Sequence, residues 1–148
     1  MVVPAVQRVT ASSERAPQMY QGELRHYAPR LAFDNDTSTA WVPSKSGAGE
    51  WIEARFQQPT QLTSVSIYGG YGVDLPRYRS NNRVRQLRLT FSTGFSRVLK
   101  LEDEPRFQRF ELPAHPTMEW IRFEIISVYP GAKFDETPIS EIKFNQPQ

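Results

Sequence analysis

The chain reads as an all-β protein, an eight-stranded jelly-roll β-sandwich. Three observations predict this. Val, Ile, Phe, Tyr and Trp recur with period two between turn residues, twelve prolines interrupt any long helix, and eight such segments are spread over 148 residues. Val6 to Ala11 is the first strand. In Trp51 to Phe56, Ile52, Ala54 and Phe56 alternate with Trp51, Glu53 and Arg55, and in Leu62 to Tyr68 it is Val65 and Ile67 that face inward. Arg85 to Phe91 sets Leu87, Leu89 and Phe91 against Gln86, Arg88 and Thr90. A Ser-Thr-Gly turn then leads into Phe95 to Leu101, which makes this pair a hairpin. Phe107 to Leu112, Trp120 to Val128 with Ile121, Phe123 and Ile125 inward, and Ile139 to Phe144 complete the set. The alternation leaves most segments one wet face, as sheets packed on a single core require.

The length suits one domain, residues 1–148, with enough chain to bury a core without cross-links. Aromatics make up 12% and charged residues 23%, a globular composition. A net charge of +2 argues against a nucleic-acid partner. The absence of cysteine removes disulfides, thiolate metal sites and a cysteine nucleophile. No apolar run approaches a membrane span, and the start, MVVPAVQR, lacks the pattern of a signal peptide. The expectation is that these residues follow a cleavage boundary and that any export signal or anchor lies outside the chain.

Two connections are long for their neighbours: Gly69 to Asn82, GGYGVDLPRYRSNN, and Tyr129 to Pro138, YPGAKFDETP. Both carry aromatic and charged residues beside Gly and Pro, and such loops on a rigid sandwich are where recognition usually sits. A polar tail closes the chain at Gln146 to Gln148.

The densest chemistry lies in Leu31 to Trp41, LAFDNDTSTAW. Asp34, Asp36, Thr37 and Thr39 set hard oxygen donors at short, irregular spacing, which suits Ca²⁺ better than a transition metal. Glu141 is the distant carboxylate able to close such a site, since no EF-hand spacing is present. An Asx-turn whose side chains bond their own backbone explains the same residues. For sugar recognition, aromatic rings stack on the C–H face of a pyranose while polar groups bond its hydroxyl rim. Tyr71, Arg77, Tyr78, Asn81, Tyr129, Lys133 and Phe134 supply both kinds within the two long loops. Tyr129 and Phe134 serve equally as core caps, Asn81 and Asn82 as turn formers, and Trp41 and Trp51 as core rings. Arg77, Arg79, Arg83, Arg85 and Arg88 form a basic run, read either as a solvated face or as a seat for an anionic partner. Val73-Asp74-Leu75 is a weak candidate membrane spike, interrupted by charge.

Enzyme readings find little support. His26 and His115 are the only histidines and neither stands in a triad pattern, while GGYGVD has no following helix to make it a nucleotide fingerprint. Asn35-Asp36-Thr37 matches an N-glycosylation acceptor, a short pattern of low specificity.

Ala32-Phe33-Asp34-Asn35-Asp36, Thr39, Trp41, Gly49-Glu50-Trp51-Ile52-Glu53 and the closing Ile139-Ser140-Glu141-Ile142 resemble the discoidin or coagulation-factor type C group. These are also called galactose-binding-like domains and family-32-type carbohydrate-binding modules. Tyr71, Asn81-Asn82-Arg83-Val84, Ser127-Val128-Tyr129-Pro130-Gly131 and Lys133-Phe134 are most similar to its bacterial NADase-type glycan-binding subset. The likeness runs from Ala28 to Phe144. It implies the eight-stranded jelly roll and a structural Ca²⁺ held near Ala32 and Phe33 carbonyls by Asp34, Asp36, Thr39 and Glu141. It adds Arg83 to the glycan-contacting residues. Asn35 stands where the group usually has Gly, and Phe134 and Glu136 where Tyr and Asp are usual.

The resulting expectation is a non-catalytic glycan-binding module, secreted or extracytoplasmic by resemblance, attaching a larger protein to a cell surface or polysaccharide. Its partners are a carbohydrate and a covalently attached domain of the parent protein, without nucleic acid or a dedicated membrane surface. The alternatives are a protein-interaction or toxin-translocation accessory domain, or binding of anionic lipid head groups.

Overall fold

The structure, a computed structural model, describes residues 5–147; the first four residues of the unusual start and Gln148 of the polar tail lie outside them. The eight expected strands form two antiparallel sheets. The larger contains, in spatial order, β1 (Val6–Ala11), β4 (Trp51–Gln61), β9 (Thr117–Tyr129), β6 (Arg83–Phe91) and β7 (Ser96–Lys100). The smaller contains β10 (Glu141–Asn145), β5 (Ser64–Tyr68) and β8 (Gln108–Glu111). This is the jelly-roll sandwich the alternation predicts.

The inward residues are those the period-two reading selects. Ile52, Ala54 and Phe56 of β4, Leu87, Leu89 and Phe91 of β6, and Ile121, Phe123 and Ile125 of β9 share one buried core with Val65 and Ile67 of β5. Phe144 of β10 reaches into its centre, with its ring 5.1 Å from Phe56 and 6.1 Å from Phe123. Removing this apolar surface from water is the main favourable contribution to folding, about 25 cal/mol per Å². Trp41 is fully buried, and the partly exposed Trp51 lies beneath the Arg122 guanidinium at 3.8 Å, so both act as packing residues.

Several boundaries differ from expectation. β4 continues past Phe56 to Gln61, with Pro59 falling where pairing to β9 lapses between Arg55 and Thr60. Proline is tolerated there because no ladder donor is required. The β6–β7 hairpin is present, and Gly94 adopts φ 92 in its turn. A two-stranded sheet, β2 (Gln18–Tyr20) with β3 (Glu23–Arg25), was not expected. Its strands are too short and exposed to show alternation; the two-residue turn is Gln21 and Gly22, both at positive φ. The first long loop is also not all loop: α1 (Leu75–Ser80) lies inside it, directly after GGYGVD, where no helix was expected. Asp74 caps this helix by accepting from the Arg77 amide at 2.8 Å, and Pro76 occupies its first turn, where no amide donor is needed.

The two ends of the chain meet. Trp41 and Ile139 exchange backbone hydrogen bonds of 3.1 and 2.9 Å, which carry the Asp34 loop over the start of β10. A smaller buried group of Tyr27, Ala40, Val42 and Tyr71, with Val73 against it, supports this end of the sandwich separately from the main core.

Candidate binding site

The oxygen-rich corner forms first from local structure. A 3-10 turn at Pro29–Phe33 buries Ala32 and delivers the chain to Asp34. Asn35 then adopts φ 62, a left-handed conformation that Asn tolerates better than most residues and that explains its presence where a glycine is usual. This bend lets the Asn35 amide donate to Oε2 of Glu141 at 3.1 Å. Thr39 Oγ1 donates to the Asp34 carboxylate and to the Asp36 carbonyl at 3.0 Å, with the Leu31 carbonyl at 3.5 Å. Asp36 turns away: its Oδ1 accepts from the Ser38 amide at 2.9 Å and hydroxyl at 2.6 Å. The expected Asx-turn is therefore present twice, at Asp36 and at Asp34, whose Oδ1 accepts from the Asp36 amide at 3.1 Å, while Asp34 also lies beside Glu141.

Glu141 is almost fully buried, and Oε1 has no hydrogen-bond partner. Burial, together with the nearby Asp34 carboxylate, pushes its pKa up to about 8 even though the Asn35 amide favours the charged form. A buried carboxylate in this state lacks a counter-charge. Among the described residues no three acidic or imidazole side chains converge. A cation here has two carboxylates, Asp34 and Glu141, the Thr39 hydroxyl and main-chain carbonyls, which is an all-oxygen set suited to Ca²⁺. That set fits the ion. Asp36 enters it through its backbone, since its carboxylate is held by Ser38.

The motif residues around the corner have structural work. Glu50 accepts from the hydroxyls of Ser12 and Ser13, fastening the exit of β1 to the start of β4. Ser140 Oγ accepts from the Gly72 amide at 2.7 Å. A Cβ on Gly72 would stand 2.7 Å from the Thr37 carbonyl oxygen, so only glycine lets the first long loop lie against the Asp34 loop. Beside that contact opens a cleft of about 240 Å³, lined by Glu23, Leu24, Arg25, His26, Leu31, Ser38, Thr39 and Tyr71. A second hollow of the same volume, near the far turn, is lined by Phe91, Phe95, Leu112 and Pro113 among others. It is mostly hydrocarbon and offers few groups for a hydroxyl rim.

The two long loops form one unit. The Asn82 carboxamide donates to the Ser46 carbonyl, Asp135 and Thr137, and accepts from the Gly131 amide at 2.8 Å. Ala132, Lys133 and Phe134 amides donate to carbonyls of Arg79 and Ser80 at the end of α1. The residues expected to contact a glycan are separated by this arrangement. Tyr78 is buried, and its hydroxyl donates to Asp103 at 3.1 Å. Arg83 makes a bidentate pair with Asp103 at 2.9 and 2.8 Å and also donates to the Pro130 carbonyl. That guanidinium holds the Asp103 carboxyl below the usual range, and burial beside Asp103 pushes the Tyr78 phenol up. Asn81 is buried at the end of α1, and the Tyr129 hydroxyl donates to the Leu101 carbonyl at 2.8 Å. Tyr71, buried in the smaller group, lines the cleft, and Lys133 and Phe134 are exposed on the joined ridge.

The basic run is dispersed. Arg77 pairs with Asp74, Arg83 with Asp103 and Arg88 with Glu124, leaving Arg79 and Arg85 in solvent. Val73 packs inward and Asp74 caps α1, so Leu75 is the one apolar residue of the candidate spike that is exposed. Sequence reading missed a different group. Arg25 and Arg77 both lie over the Tyr20 ring, at 5.1 and 4.3 Å, and Arg15 lies 5.9 Å from the Tyr27 ring. The adjacent Arg25, His26 and Tyr27 were the available signal, but only the unexpected hairpin turns that segment toward the cleft.

Comparison with known proteins agrees with this architecture. The sequence profile described as NAD glycohydrolase translocation F5/8 type C domain matches residues 3–145, a longer span than the motifs from Ala28 to Phe144. No curated protein sequence matches the chain. Among solved structures, the family 32 carbohydrate-binding module of AlyQ, in complex with 4,5-unsaturated mannuronic acid, is 13% identical with a TM-score of 0.70. The match covers 99% of this chain and 100% of that one. The family 32 module of Clostridium perfringens NanJ, in complex with galactose, is 14% identical with a TM-score of 0.68, covering 97% and 98%. A pectin-binding module is 13% identical with a TM-score of 0.68, covering 98% and 94%.

Proposed function

The chain belongs to the NAD glycohydrolase translocation F5/8 type C domain family, and from that premise we propose that it is a non-catalytic carbohydrate-binding module. The observation that carries this reading is the cleft between Glu23–His26, Thr39 and Tyr71. It places the Tyr71 side chain, an imidazole and a guanidinium around a hollow of about 240 Å³, backed by the tightly bonded Asp34 corner to which the Thr39 hydroxyl is committed. Rings for the C–H face and donors for the hydroxyl rim are what a pyranose needs. The similar modules whose structures contain mannuronic acid or galactose, or that bind pectin, support the same reading.

Ca²⁺ is the structural cofactor of this proposal. Asp34, Glu141, Thr39 and neighbouring carbonyls hold it, and the ion supplies counter-charge to the corner behind the cleft. A shallow site of this kind binds weakly alone, so attachment to a larger protein and presentation outside the cytoplasm give it useful avidity.

A second reading has support in the family description, which names translocation. In it the ridge bearing Phe134, exposed at 51%, and its neighbour Lys133 docks another protein. Glycan-array binding by the wild type that Tyr71→Ala abolishes and Phe134→Ala leaves intact favours the sugar site. An empty array together with Phe134-dependent capture of a defined protein partner rejects it.

A further inference from the structure

Arg25 occupies an unusual electrostatic position. Of the three guanidiniums gathered at this end, Arg15 is paired with Glu136 and Arg77 with Asp74, but Arg25 has no carboxylate within 4.0 Å among the described residues. Its Nε is shut off from solvent and has no acceptor. Glu23, the one carboxylate in the cleft wall, is exposed at the rim and makes no ion pair with it. An uncompensated guanidinium with an unused buried donor is costly in the free protein.

The geometry also fixes where the charge points. The Arg25 and Arg77 guanidiniums lie 5.1 and 4.3 Å from the Tyr20 ring centroid, so a single aromatic ring contacts both cations. Arg15 stands 5.9 Å from the Tyr27 ring, so a third guanidinium contacts an aromatic ring beside Arg25 and His26 in the chain. A guanidinium fork matches a planar carboxylate through two parallel hydrogen bonds, a match that a neutral hydroxyl cannot reproduce. Stacking on the ring restricts the fork before ligand arrives, which lowers the ordering cost of binding.

We propose that Arg25, with Arg77 and the Tyr20 ring, forms a carboxylate subsite at the edge of the cleft, so that the glycan taken by this module is an acidic one. The proposal rests on the glycan-binding reading above and names its ligand class. Arg25 bonds the sugar carboxylate, Arg77 adds charge across Tyr20, and the neutral rim of the sugar lies toward Tyr71 and His26.

The test titrates the intact protein, with Ca²⁺ present, with oligogalacturonate, oligomannuronate and sialyllactose, each beside its carboxyl-reduced neutral counterpart. At least one acidic sugar is expected to bind about tenfold or more tightly than its neutral form, an advantage that shrinks with added salt. Arg25→Gln is expected to erase that advantage, lowering affinity for the acidic sugar about tenfold more than affinity for its neutral form, with the melting temperature kept. If Arg25→Gln does not fold, Arg25→Lys keeps the charge but removes the fork and should lose several-fold. Equal binding of acidic and neutral forms by the wild type, or an acidic preference retained in both variants, overturns the subsite and leaves glycan binding standing. Binding of no sugar overturns the glycan reading as well. Binding of phosphatidylserine vesicles without any acidic oligosaccharide assigns the arginines to lipid head groups and overturns the proposal.

Discussion

The backbone amide of Asn35 donates to Oε2 of Glu141 at 3.1 Å across 106 positions of sequence, while Oε1 of the same carboxylate is buried without a donor. One oxygen of Glu141 is thus held by the main chain, and the other is buried with no hydrogen-bond partner.

Calcium should therefore stabilise the fold. At a concentration about a hundredfold above its dissociation constant the gain is about 2.7 kcal/mol, a rise of several degrees in melting temperature. Glu141→Gln should lose that rise, and in chelator it should match or exceed the wild type because it has no carboxyl that must take up a proton, or bury a charge, on folding. A melting curve indifferent to millimolar Ca²⁺ in the wild type would remove the metal from the proposed function.

Gly72→Ala should weaken the same corner from outside it. The added Cβ meets the Thr37 carbonyl, and relieving the clash requires the Asp34 loop to move, at a cost of about 1–3 kcal/mol. Denaturant unfolding measures the loss, and calcium titration should show a weaker site. Unchanged stability and calcium response would mean that the two loops are not coupled through this contact.

Asn82→Ala removes the hub of the joined loops, leaving Gly131, Asp135 and Thr137 with lost partners. The expected cost is about 2–3 kcal/mol. Amide exchange should quicken at Gly131 to Phe134 before it does in β6 or β9. Uniform acceleration across the sheet would instead mark Asn82 as a global determinant.

The Asp103 pair gives a pH signature. Arg83 and the Tyr78 hydroxyl hold Asp103 below its ordinary value of 3.8, so its contribution is present above that value and is lost as pH falls through the lower folded-state pKa. Asp103→Asn should cost about 1 kcal/mol or less at pH 7, because the carboxylate is partly solvated. The difference from wild type should vanish well below pH 3.8. A gap that persists in acid would assign the effect to packing.

Tyr78→Phe separates the two roles considered for that ring. The hydroxyl is committed to Asp103, so its loss should cost about 1 kcal/mol of stability and leave glycan affinity unchanged. A large affinity loss at full stability would return Tyr78 to the binding site.

The sequence was most legible where structure is local. Side chains alternate along a strand, so Ile52, Ala54 and Phe56 declare a buried face without knowledge of their partners. The corner was legible for a related reason: Asp34, Asp36 and Thr39 are close in the chain, and the turn that joins them needs no distant support. The hairpin at Gln18–Arg25 was hidden because three-residue exposed strands carry no periodic signal.

By itself the sequence determined the all-β class, the core faces and the pairing of the Asp34 loop with a late acidic residue. Tertiary structure alone decided which polar groups meet. It buried Tyr78 on Asp103, gave Arg83 and Arg88 carboxylate partners, and brought Arg25 and Arg77, 52 positions apart by their numbering, to the Tyr20 ring. Hydrophobic patterning repeats along one strand and is read locally, whereas the charge state and exposure of a surface side chain depend on neighbours supplied by other strands.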